Sequence, residues 1–262
     1  MSRSAVKTIY SKWLKTKAIQ HSANVRAYVP DTRKMTAATL RDMISRYRMV
    51  YVKPNSGTFG KGVMRVERRS APSGGTTYRY QYGTKRREFR DFADLYASIV
   101  RHKRKGTYLV QKGISLLTYR GRRFDIRVMV QRNSKRAWET TGIIGRLSHP
   151  AKIVTNYHNG GTPMSIRTLL KPKFGARRIV AIERKLARVG KDSAIALSRV
   201  YPRVDMVGTD IGLDAECKPW IIELNTSPDP YLFRFLPDRS THRKVLRYAR
   251  ALGRIPVRKK KR

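Results

Sequence analysis

Apolar positions recur with a helical period in three stretches. Leu40, Met43, Ile44 and Tyr47 fall at i, i+3, i+4 and i+7 behind Thr36, a side chain able to cap a first turn, and predict one helix. Phe92, Leu95, Tyr96 and Ile99 predict a second over 91–102, and Ile179, Ile182, Leu186 and Val189 form the apolar face of a third. A short helix is expected within 7–20, and a last one near the end with Ser240 as its cap. Short apolar runs predict strands at Met49–Lys53, "VMRVE", the aromatic-rich stretch after "APSGGTT" and "TYLVQ". Longer ones follow at Phe124–Arg132, Ala137–Leu147 and Ala151–Asn156, expected as a meander, with "NGGTP" as loop. Helices and strands are mixed and hairpins dominate the second half, which predicts an α+β fold in two lobes. The divisions expected are a basic N-terminal segment (1–35), a first lobe (36–112), a second lobe (113–253) and a basic, disordered tail (254–262).

Composition adds one large fact. Against 17 Asp and Glu stand 59 Lys and Arg, a net charge of +42, while hydrophobic residues still make up 40% and supply a core. Such a surface attracts anions: nucleic acid, acidic polypeptide, anionic lipid or phosphate. The basic runs "RHKRKG", "TKRREFR" and "VRKKKR" sit in no recognisable nucleic-acid-binding motif, so they read as solvated faces with non-specific nucleic-acid binding at low salt. One cysteine, Cys217, excludes an internal disulfide and a cysteine zinc site. No apolar run is long enough to span a membrane, and "MSRSAVKTIYSKWLK" lacks a secretory apolar core, so a cytoplasmic start is expected. The five histidines, His158 among them, read as loop or surface residues.

The stretch "DIGLDAECKPWIIELNTSPDP" carries the first candidate chemistry. Folded as a hairpin about Glu216 and Cys217, it sets Asp210 opposite Glu223, Ile211 opposite Ile222, Leu213 opposite Trp220 and Gly208 opposite Asn225. Thr209, Ile211, Leu213, Trp220, Ile222 and Leu224 then form a core face, and Asp210, Glu223 and Asn225 share the other. Opposed carboxylates repel unless something positive lies between them. That is either a hard divalent cation, magnesium or manganese, or the abundant Lys and Arg side chains.

A second candidate is "KPNSGTFGKG", a glycine-rich turn between two strands. It lacks the spacing of a phosphate-binding Walker loop. Either its amides cradle phosphate oxygens with Lys53 reaching in from the strand end, or it is a hairpin loop with solvated lysines.

The order of parts resembles the ATP-grasp superfamily. The stretches "SKWLKTKAIQHSANVRAYVPDT" and "VYVKPNSGTFGKGV", then Q-x-G-I, D-x-R and T-N…G-G segments, are similar to the endospore coat-associated family of the YheC/YheD type over residues 8–250. The resemblance implies ATP held between two lobes beneath a mobile lid. It implies that Lys53, and less directly Lys12, contact phosphates; that Ser56, Gly57, Gly60, Lys61 and Gly62 form the lid; and that Gln111, Lys112, Gly113 and Ile114 line the adenine. Arg127 would face the γ-phosphate, Asn156 and the Gly160–Gly161 pair would lie near the phosphates or acceptor, and Asp210, Glu223 and Asn225 would bind Mg2+ or Mn2+. Arg127 and Lys53 would be the catalytic pair. The activity implied is ATP-dependent carboxylate–amine ligation through an acyl-phosphate, on an acidic, polymeric or peptide-like substrate. The alternative is a non-catalytic, ATP-binding protein that assembles with coat protein partners. Ligases of the superfamily usually carry an N-terminal acceptor-binding domain, for which only about 35 residues are counted here.

Overall fold

The protein is described by a computed structural model over residues 7–71, 74–153, 155 and 160–256. The first helix, α1 (Lys12–Ile19), opens on Ser11, whose hydroxyl accepts from the Leu14 amide at 3.2 Å. After β1 (Thr32–Lys34) comes α2 (Ala37–Tyr47), capped as expected by Thr36 in a reciprocal box with Thr39. Then follow β2 (Met49–Pro54), β3 (Met64–Ser70), β4 (Thr76–Tyr82), β5 (Lys85–Phe89), α3 (Phe92–His102) and β6 (Tyr108–Lys112). These strands form one antiparallel sheet in the order β1-β6-β2-β3-β4-β5. Leu40, Met43 and Ile44 of α2 and Leu95 and Ile99 of α3 bury one face of it against Val50, Val52, Met64, Val66 and Tyr80. β1 falls within the segment assigned to 1–35 and pairs with β6 as part of this sheet.

The second half supplies β7 (Thr118–Tyr119), β8 (Arg122–Arg132), β9 (Trp138–Leu147), β10 (Thr162–Met164), α4 (Ile166–Leu170), α5 (Ala176–Val200), β11 (Met206–Leu213), β12 (Pro219–Asn225) and α6 (Arg239–Ala251). Its antiparallel sheet runs β10-β9-β8-β11-β12, with β7 paired to β8. The pleat divides the work. Ile126, Val128 and Val130 of β8 with Val207 and Ile211 of β11 pack under α5, against Ile182, Leu186 and Val189. The opposite face is apolar at one end, where Met129 and Met206 meet Phe233 of the Pro230–Phe235 turn and Val245 of α6. At its other end the same face presents Asp125, Arg127 and Asp210 to a cleft.

Four expectations are corrected. The β11–β12 ladder keeps Gly208 opposite Asn225 and Asp210 opposite Glu223, but a bulge shifts it beyond Asp210. Ile211 therefore faces Ile221, Gly212 faces Trp220 and Leu213 faces Pro219. The extra residue is Ile222, so Ile221 enters the core while Trp220 and Ile222 stay half-buried. Ala151–Ile153 is turn and bend rather than strand; Val154 and Asn156 lie outside the described residues. The third meander strand is instead β10, cut from the stretch expected as loop. The last helix is capped by Asp238, whose carboxylate accepts from the Ser240 amide at 2.8 Å.

Candidate functional site

Between the two sheets lies a cleft of about 860 Å³. Its floor is the charged end of the second sheet. Asp210 on β11 stands opposite Glu223 on β12 and, on its other side, opposite Arg127 on β8. Arg127 binds the Asp210 carboxylate twice, Nε to Oδ1 at 2.5 Å and Nη2 to Oδ2 at 3.1 Å. This geometry needs Gly208. A Cβ there would stand 3.1 Å from Arg127 Cδ and 2.7 Å from Pro228 Cβ, so the guanidinium lies across the space a side chain would fill. Arg146 of β9 reaches Asp125 through two bonds of 2.8 and 2.6 Å and adds a third contact, 3.0 Å, to Asp210 Oδ2. Asn225 Nδ2 approaches the same oxygen at 3.4 Å. All four charged groups are buried. Burial pushes the Asp210 carboxyl up, but Arg127 and then Arg146 outweigh it and hold it below the usual carboxylate range.

The facing wall is made of lysines. Lys53, at the end of β2, is buried and donates to Gln111 Oε1 at 2.8 Å and, across the cleft, to the Ile222 carbonyl at 3.1 Å. Gln111 in turn donates to Thr32 Oγ1 at 3.0 Å, which fixes its amide. Lys12 in α1 donates to the Gly57 carbonyl at 2.8 Å and pairs with Glu223 Oε1 at 3.1 Å. Lys15, one turn on, is buried beside them. Burial drives both Lys53 and Lys15 down to about 8, against the opposing pull of Glu223.

The glycine-rich turn closes the top. Gly57, Gly60 and Gly62 all have positive φ, which glycine adopts without strain. The turn's base is tied to α1: Asn55 Oδ1 accepts from Ser11 Oγ at 3.0 Å and from the Trp13 amide at 2.9 Å. At the linker end, the amides of Lys112 and Gly113 are taken by Asp31 and Met49 carbonyls, leaving Ile114 at the cleft. Lys112 lies 4.7 Å over the Trp220 ring.

The cleft thus collects Lys12, Lys53, Gly57, Gly60, Lys61, Gln111, Lys112, Ile114, Arg127, Asp210, Glu223 and Asn225 in its lining. Ser56, Gly62 and Gly113 do not line it. Gly113 is packed so tightly that a Cβ would sit 1.9 Å from Met49 Sδ. Asn156 lies outside the described residues, and Gly160 packs against His149. Sequence reasoning missed Arg146, Asp125 and Lys15. Asp125 and Arg146 stand among apolar positions of β8 and β9, but nothing local to either strand announces their pairing.

A model of the YheC/D like ATP-grasp family matches residues 5–252. The chain belongs to that family. Among curated proteins, this ATP-grasp chain is 26% identical over 231 residues to the endospore coat-associated protein YheD of Bacillus subtilis (strain 168), covering 87% of itself and 50% of that protein. It is 20% identical over 224 residues to YheC of the same strain, covering 83% and 59%. The chain thus spans only half to three fifths of the curated relatives it matches. Among solved structures, the D-cycloserine synthetase DcsG shares the fold with a TM-score of 0.56 at 14% identity, over 93% of this chain and 70% of that one.

Among the described residues no three His, Cys, Asp or Glu side chains gather as a metal centre. What the ATP-grasp cleft offers is two opposed carboxylates and an amide on one face, all hard oxygen donors. That set fits a magnesium-like cation. Glu223 gives only one oxygen to Lys12, whereas Asp210 is shared by Arg127, Arg146 and Asn225.

Proposed function

We propose that this cleft binds ATP with magnesium or manganese and activates a carboxylate for amide formation. The observation that carries the reading is the pairing of the two opposed carboxylates of the cleft floor, Asp210 and Glu223, with cations. Lys12 rests on Glu223, and Arg127 and Arg146 rest on Asp210. A triphosphate brings the anions that can take over those cations. Asp210, Glu223 and Asn225 are then released to hold the divalent ion, which when bound neutralises phosphate charge. Lys53 and Lys12 take phosphate oxygens from one side, Arg127 and Arg146 from the other, and the Gly57–Gly60–Lys61 turn covers them and excludes water. Gln111, Lys112, Ile114 and Ile222 form the adenine end.

In the reaction, a carboxylate oxygen of the acceptor attacks the γ-phosphorus, and ADP leaves with the electron pair of the broken P–O bond. An amine nitrogen then attacks the acyl carbon, the C–O bond to phosphate breaks, and the amine sheds a proton as phosphate departs. Alignment and charge neutralisation are what the cleft contributes. A second reading is favoured by the names of the curated relatives, which are endospore coat-associated proteins. In it the chain binds ATP and assembles with coat proteins without turnover.

Thermal denaturation with Mg-ATP tests the site. The wild-type midpoint is expected to rise, and the rise to vanish in Glu223→Gln while circular dichroism stays native. A full ATP shift in that variant would remove Glu223 from the metal set. Phosphate release upon adding acidic peptides and amines then separates ligation from assembly.

A further inference from the structure

A second cavity, of about 750 Å³, opens on the far side of the glycine-rich turn. It lies between the β4–β5 hairpin, the end of α3 and the Ala151–Ile153 turn of the other sheet, and Gln81 Nε2 bridges to the Ala151 carbonyl at 2.9 Å. Lys61, Lys85, Arg87, Arg104 and Lys152 line it beside Tyr82, and among the described residues no carboxylate does. Among the described residues none of these five cations has an ion-pair partner. The acids of the neighbouring strands are spent elsewhere, Glu67 on Arg65 and Arg79, and Glu88 on Arg79. Gly60, Lys61 and Val63 belong to the walls of both cavities, so the groove meets the cleft at the turn over the phosphates.

We infer that this groove is the seat of an acidic polypeptide segment, a run of Glu or Asp side chains whose carboxylates lie along the five cations. The inference rests on the ligase reading for its choice of occupant: of the polyanions that fit the charge, a polypeptide brings carboxylates, the group that reading activates. Five unpartnered cations around one groove bind such a chain through charge and, unlike the protein's diffuse charge, at one place.

The test is fluorescence anisotropy with a labelled oligoglutamate at about 150 mM salt, where exposed charges further apart than about 8 Å are screened. Lys85→Glu with Arg87→Glu reverses two groove cations on an exposed hairpin. Arg188→Glu with Lys191→Glu makes the same charge change on the exposed side of α5. The groove variant is expected to lose roughly tenfold in affinity and the control about twofold or less, with the Mg-ATP thermal shift retained in both. Equal losses would overturn the groove. So would a single-stranded oligonucleotide that binds wild type more tightly than oligoglutamate and loses affinity in the groove variant. If wild type shows no ATP shift yet the variants separate, the nucleotide reading falls and the groove stands; if ATP binds and the variants do not separate, the reverse holds.

Discussion

At the scale of single residues, the buried lysines set the cleft's behaviour. Lys53 and Lys15 sit among Lys12, Glu223 and Asp210, and burial outweighs the carboxylates, bringing both to about 8. A lysine depressed in the folded state costs stability while it is charged. Below pH 8 both folded and unfolded chains hold the proton and the cost is constant. Between about 8 and the ordinary value of 10.5 the unfolded chain binds more protons, so stability rises with pH. The thermal midpoint of the free protein is expected to climb from pH 8 to about 9.5, below the tyrosine range. In Lys53→Met the climb should be smaller, with Lys15 alone remaining; parallel profiles would contradict the burial of a charged Lys53. Much of this residue-level picture was legible. Lys53 and Glu223 announce themselves as charges at the ends of apolar runs, and Asp210 as a charge in mid-strand that a hairpin sets opposite Glu223. Lys15 did not, because nothing local separates it from the solvated Lys17 of the same helix. Arg146 was hidden in another way: its partner Asp125 lies across a ladder, 21 residues earlier.

At the scale of elements, periodicity found the helices, and α5 shows why it works. Its apolar stripe covers the second sheet, and at Gly190 the helix comes close enough that a Cβ would stand 2.5 Å from Val128 Cγ1. On an exposed helix Gly→Ala stabilises by about 1 kcal/mol. Here Gly190→Ala is expected to destabilise by about 1–3 kcal/mol in urea denaturation, because Val128 is stiff and buried. A stabilised variant would mean that the helix sits further from the sheet. Strands were harder to read. β5, "KRREF", has four exposed residues in five, and with no buried alternation there was no pattern to find. β10 holds only three residues, one of them a proline. Ala151–Ile153 failed in the other direction, since a short apolar run without a pairing edge makes no strand. The bulge at Ile222 escaped because a one-residue insertion leaves composition untouched and changes only which side of the sheet each side chain faces.

At the scale of the whole molecule, charge dominates. A net +42 on 262 residues repels itself in the folded state more than in the expanded chain. Sodium chloride is therefore expected to raise the thermal midpoint, steeply between about 10 and 150 mM as the screening length falls from about 30 to about 8 Å, and little beyond. A midpoint falling over that range would show that attractive pairs such as Arg254–Asp205 outweigh the repulsion. Among the described residues no helix is long and apolar enough to cross a membrane. The charge is displayed to water, and its large unpartnered cluster opens beside the cleft.

The bulged strand has a use beyond redirecting side chains. β12 is the edge strand of its sheet, and at the bulge the Ile222 carbonyl accepts from Lys53 across the gap. The same ammonium latches one half of the molecule to the other and is the group a polyphosphate would recruit. On the reading proposed above, binding would exchange this tie between the halves for one made through the guest.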